Sequence, residues 1–127
     1  MENLLGELKF TDGLIPAVIV EEDGQVLTLC YLNKDAIRRT LQTRRVHVFR
    51  RSAGRLMMKG ESSGHVQEVV ELRVDCEGKS LVIVVRQKVA ACHAGYRTCY
   101  YRRYRPEDDR WEICEEKVFE PGDVYGS

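Results

Sequence analysis

The segment Leu81-Val82-Ile83-Val84-Val85 places five apolar residues in succession, nearly all of them β-branched. Branching at Cβ stiffens the side chain and suits the pleated surface of a sheet, so this run predicts a central strand. The rest of the chain supplies neighbours for it. Leu14 to Val20 is an apolar run consistent with a buried strand, Glu21-Glu22-Asp23-Gly24 is a turn signal, and Val26 to Leu32 is a further strand. Together these three segments read as a hairpin. Val46 to Arg50 and Arg55 to Lys59 read as strands on either side of the turn Ser52-Ala53-Gly54. Val66 to Val74 alternates in part, with Val70, Leu72 and Val74 on one side, and Asp75 to Lys79 is a turn. Asn33 is a good N-cap for one short helix over Lys34 to Gln42, where Ile37 and Leu41 share a face. Gly60 to Gly64 is a polar loop without periodicity. Cys99 to Tyr104, the turn Arg105 to Asp109, and Trp111 to Phe119 read as a closing hairpin. Strands dominate, so the expected class is α+β, mainly antiparallel sheets with one or few short helices. A chain of 127 residues fits one domain, 1–127.

Lys+Arg and Asp+Glu both number 20, for a formal net charge of +0. That balance supports neither a nucleic-acid nor a membrane-surface role, and it leaves self-association unopposed. No apolar run is long enough to span a bilayer. Met1 to Phe10 carries Glu2, Glu7 and Lys9 and lacks the basic-then-apolar order of a signal peptide. The expected location is therefore the cytoplasm, where thiols stay reduced, and the five cysteines need an explanation other than disulfides. Cys30 sits inside an apolar strand pattern and reads as a small buried hydrophobe. Cys76, Cys92 and Cys99 instead sit at element boundaries. Thiolates are soft ligands that suit zinc, and three protein ligands with an open fourth position is the arrangement of a catalytic zinc. Two other readings of the spacing are a structural zinc closed by His93 or Cys114, and unrelated buried cysteines.

Three stretches carry a resemblance. Lys59-Gly60-Glu61-Ser62-Ser63-Gly64-His65-Val66-Gln67 resembles the K-G-E-T-S-G-H-x-Q signature of phosphoribosyl-AMP cyclohydrolases. Val70 to Cys76 resembles that family's next strand, which ends in D-C-D-x-D. Ala91-Cys92-His93-Ala94-Gly95-Tyr96-Arg97-Thr98-Cys99-Tyr100 resembles its A-C-H-T-G-x-R-S-C-F stretch. Gly13 to Ala17 and the run from Tyr31 to Leu41 are also similar, so the likeness covers roughly residues 10 to 105. The motifs come in the family's order, with its cysteine spacing of fifteen residues and then six.

The resemblance implies a zinc-bridged homodimer in which Cys76 of one chain joins Cys92 and Cys99 of the other. It implies a nucleotide substrate and a reaction of histidine biosynthesis: water adds across the N1–C6 bond of phosphoribosyl-AMP and opens the six-membered ring. Zinc lowers the pKa of bound water to about 7, which provides hydroxide at neutral pH. His93 lies next to a ligand and titrates near neutrality, so it is the expected general base and acid, or else a partner that orients a thiolate. Lys59, Ser62, Ser63, Gly64 and Gly60 form a loop of donors suited to phosphate. Arg51 and Arg97 could add bidentate contacts, and His65 either contacts substrate or is structural. Tyr100, Tyr101 and Tyr104 read as sheet and interface packing.

The chain departs from the family pattern at one metal motif. Where D-C-D-x-D supplies three carboxylates for magnesium, this chain reads Asp75-Cys76-Glu77-Gly78-Lys79. Asp75 and Glu77 remain as a degenerate site, and a lysine cannot ligate the ion while protonated. Lys79 could replace the metal's charge, or the chain could be a relative with a changed substrate. Phe49-Arg50-Arg51-Ser52 and Met57 differ from the family's usual aromatic-Ser-Arg-Ser and Trp. Two alternatives to the histidine-pathway enzyme follow: a paralogue opening another N-substituted purine-like ring, and a non-catalytic dimer clipped by structural zinc.

Overall fold

The computed structural model describes residues 1–59, 66–87 and 95–117. Its centre is a four-stranded sheet with strand order β2-β1-β6-β5. Strand β1 (Ile15–Glu21) and β2 (Val26–Leu32) form the expected hairpin, with Ile15 opposite Leu32 and Ala17 opposite Cys30. Strands β5 (Gln67–Val74) and β6 (Leu81–Gln87) form a second hairpin. The two join through a parallel pairing of β1 with β6, Ala17 beside Leu81 and Glu21 beside Val85. The sheet is therefore mixed rather than purely antiparallel. A pairing between strands so far apart in the chain leaves no local signal, because no turn connects them.

Alternation along β1 and β6 sends Ile15, Ala17, Ile19, Leu81, Ile83 and Val85 to one face, where all are buried. Each large apolar side chain so buried contributes about 1.5–3 kcal/mol. Helix α2 (Lys34–Thr43) covers that face with Ala36 and Ile37, and the Asn33 side chain caps it by accepting from Ala36 N at 2.8 Å. The hairpin of β3 (His47–Arg50) and β4 (Arg55–Met58) lies beside α2. Thr40 joins the two elements: its buried hydroxyl accepts from His47 N at 2.9 Å and donates to His47 O at 3.2 Å. A third small sheet, β7 (Arg102–Arg105) with β8 (Arg110–Ile113), forms the closing hairpin. It is shorter than the sequence implies, and residues 118 and 119 lie outside the described part.

Two further differences have local causes. Val70 does not share a face with Leu72 and Val74. A bulge between Val69 and Glu71 inserts one residue and turns Val70 outward to 41% exposure, while Val69, Leu72 and Val74 pack on the core. An extra helix, α1 (Glu2–Glu7), precedes the sheet; it is six residues long and has no side-chain cap. Leu4 and Leu5 pack against the core, and Lys9 N donates to Gly78 O at 2.7 Å.

Candidate active site

Of the described site residues, Asp75, Cys76 and Glu77 lie at one end of the central sheet, Arg97 and Cys99 at the other, and Arg51 and Lys59 on the β3–β4 hairpin. At one end, β5 and β6 are joined by the turn Asp75 to Ser80. Asp75 N donates to Ser80 O at 3.2 Å, and Gly78 N to Asp75 O at 3.1 Å. The Asp75 carboxylate accepts from Lys79 N at 2.7 Å. Donors from Lys79 first, then the Ser80 side chain and the Ser80 and Gly78 backbone, hold its carboxyl below the usual carboxylate range. Cys76 lies exposed on this turn with a free thiol. Gly78 has φ of 73°, and a Cβ there would come within 2.2 Å of Glu7 O, so only glycine lets the N-terminal segment close on the turn.

At the other end, residues 95–99 cross the β1–β2 hairpin. Cys99 N donates to Leu27 O at 2.7 Å, and the buried Thr98 hydroxyl donates to Val26 O at 2.6 Å. Arg97 ties the same segment down. Its Nε donates to Glu21 at 2.9 Å and its Nη2 to both Asp23 oxygens at 2.9 and 2.8 Å. The Arg97 bond, ahead of a backbone bond from Gln25, lowers the Asp23 pKa, and the carboxylates of Glu21 and then Asp23 raise that of Arg97.

A chain of amides joins the strand ends. Gln87 Nε2 donates to Arg97 O at 3.1 Å, which leaves Gln87 Oε1 to accept from Gln67 Nε2 at 2.7 Å. Gln67 is 1% exposed, and its own Oε1 has no partner among the described residues. Gln67 closes the signature stretch that begins at Lys59, whereas Gln87 carries no sequence signal, because a lone amide at a strand end has no spacing signature.

Lys59 leaves β4 with its backbone N on Val46 O at 2.8 Å. Arg51, in the β3–β4 turn, stacks its guanidinium 4.0 Å from the Tyr31 ring centroid. Tyr101 stacks on Tyr96 at 4.0 Å and Tyr104 meets Trp111 edge-on, as packing residues do. Cys30 is half-buried in β2 with Sγ 3.6 Å from Ala17 O; desolvation pushes its thiol up to about 12, against a small opposing effect of the Lys59 charge. Gly60, Ser62, Ser63, Gly64, His65, Cys92 and His93 lie outside the described residues.

Among the described residues, no three His, Cys, Asp or Glu side chains gather to hold a metal. Strand order explains why Cys76 and Cys99 stay apart. Cys76 follows β5 at one edge, and Cys99 binds β2 at the other, toward the opposite end. Three inter-strand steps alone amount to about 14 Å. Sulfurs sharing one zinc lie about 4 Å apart, since each Zn–S bond is about 2.3 Å. The thiolate set suits zinc by chemistry, and within one chain Cys76 and Cys99 are too far apart to share an ion. The magnesium motif does not fit its ion: Asp75 is engaged by the turn, and Glu77 pairs with Lys79 Nζ at 3.0 Å. No described helix is long and apolar enough to cross a membrane.

Residues 28–101 match the family model of phosphoribosyl-AMP cyclohydrolase. Among curated relatives, the phosphoribosyl-AMP cyclohydrolase of Methanothermobacter thermautotrophicus is 44% identical across 98% of this chain and 87% of its own length. That of Methanosarcina acetivorans is 43% identical across 95% and 98%, and that of Chlorobium phaeovibrioides 40% across 98% and 92%. Over nearly its whole length, this chain belongs to the phosphoribosyl-AMP cyclohydrolase family.

Proposed function

We propose that the protein hydrolyses the N1–C6 bond of phosphoribosyl-AMP in histidine biosynthesis, as a zinc-dependent homodimer. The observation that carries this reading is that one member of the family retains Cys76, Cys92, Cys99 and His93 together. Zinc would be held by Cys76 of one chain with Cys92 and Cys99 of the other, an assignment supported by the separation of Cys76 from Cys99 within a chain. When bound there, zinc supplies hydroxide at neutral pH by lowering the pKa of a water to about 7.

The chain's own residues then bind the substrate and move its protons. His93 takes a proton from the attacking water and returns it to N1 as the N1–C6 bond breaks. Lys59, Ser62, Ser63 and Gly64 hold phosphate, with Arg51 free to swing from Tyr31 toward it. His65 either contacts the same ligand or is a structural histidine of that loop. Arg97 adds whichever N–H groups point away from Glu21 and Asp23, while its carboxylate bonds fix the segment bearing Cys99.

The outer face of the sheet supports a dimer. Pro16, Val18, Val82 and Val84 lie on it half-buried, beside Val26 and Leu29 at 40% and 46% exposure. A second copy covering this apolar band would remove it from water and bring the ends of two sheets together. The test is turnover of phosphoribosyl-AMP by the purified, zinc-loaded protein. Turnover that falls with Cys99→Ser and His93→Ala is the expected result. A zinc-loaded dimer without turnover would move the chain to a paralogue with another ring as substrate.

A further inference from the structure

We infer that this enzyme works without magnesium at the Asp75–Lys79 turn, because Lys79 supplies there the positive charge that a divalent ion would bring. The inference rests on the cyclohydrolase reading for its functional half and on the geometry of the turn for its binding half.

One residue engages both remaining carboxylates. The backbone N of Lys79 donates to Asp75 Oδ1 at 2.7 Å, and its ammonium lies 3.0 Å from Glu77 Oε2. The two contacts come from opposite ends of the same residue, so the turn gathers its anions without an ion between them. Glu77 and Lys79 are 63% and 62% exposed, so the pair is a solvated surface contact that adds little stability. Its effect is on what else can approach. Magnesium keeps several waters and demands tight octahedral oxygen geometry, usually anchored on carboxylates. Here the Asp75 carboxylate must keep its N–H bonds for the turn to hold its shape, and the Glu77 carboxylate must give up a cation to accept another. A neighbouring ammonium repels the incoming ion as well. The turn is already held from outside by Lys9 N on Gly78 O, so it needs no metal to order it.

The experiment is Mn2+ titration of the zinc-loaded protein, followed by electron paramagnetic resonance, with Mn2+ as the visible stand-in for magnesium. The wild type is expected to bind no Mn2+ that Asp75→Asn or Glu77→Gln removes. Lys79→Asp, which restores the carboxylate, should gain one Mn2+ per chain. In parallel, wild-type turnover of phosphoribosyl-AMP should be unchanged between magnesium-free and millimolar-magnesium buffer. One Mn2+ per chain in the wild type, lost in Glu77→Gln, would overturn the inference, and so would turnover that collapses without magnesium. The Mn2+ result stands whatever the substrate is, so a failure of the cyclohydrolase reading is seen separately.

Discussion

Cys30 and Cys76 show how one residue type takes two roles in one chain. The Cys30 thiol is held by desolvation at about 12, from an ordinary 9.0. A raised folded-state pKa means that its contribution to stability is fully present below about pH 9 and is lost as pH rises toward 12. At roughly pH 10.5 the loss amounts to about 1–2 kcal/mol. Cys30→Val keeps the packing and removes the titration, so its stability relative to wild type should improve between pH 7 and pH 10.5 in urea melts. An unchanged difference would show that the thiol is not desolvated. Cys76 was separable from Cys30 in the sequence because it follows a strand rather than sitting within one. What the sequence does not contain is the partner set of each thiol, since Cys76 and Cys99 belong to different ends of the sheet.

Hairpins and the helix were legible because their signals are local: Asn33 before α2, Glu21 to Gly24 between β1 and β2, and the β-branched run of β6. Losing the Asn33 cap through Asn33→Ala should cost about 1 kcal/mol, measured by urea denaturation. The contacts that lock elements to one another were not legible, since they depend on side chains meeting across the fold. Thr40 acts as a strand partner for His47, satisfying both of its backbone groups. Thr40→Val keeps the shape and strips both bonds from a buried backbone, so it should cost about 2–3 kcal/mol, well beyond the Asn33 variant. Helix α1 was invisible for the opposite reason. Its six residues include Gly6 and no side-chain cap, and it is held by docking at Gly78. Gly78→Ala forces a Cβ into left-handed backbone, which costs about 1–3 kcal/mol, and into the Glu7 carbonyl as well. Hydrogen exchange should show Lys9 N losing protection in that variant, and retained protection would count against the docking.

For the whole molecule, a zinc shared between chains makes a prediction that no single-chain site can make. A protein carrying Cys76→Ser and another carrying Cys99→Ser should each lack turnover. Refolded together, they form mixed dimers with one intact site, so about a quarter of wild-type activity should return by random pairing. No recovery, with mixed dimers present by mass spectrometry, would place all three cysteines on one chain. The motifs offer this division only through the family resemblance, because the cysteine spacing itself carries no strand order. The outer sheet face was likewise hidden, since Val18, Val82 and Leu29 look like core residues until the pairing sets their side.

The parallel contact of β1 with β6 also fixes an order of events during folding. Each hairpin can close by itself over a short turn, but Ala17 meets Leu81 only after every residue between them has been gathered in. From this topology the two hairpins are expected to close first and their joining to come last, with the entropy of a long loop as its main barrier. Until that step is complete, Ile19 and Ile83 remain in water, and a ribosome that has released β1 and β2 still holds a chain without its core.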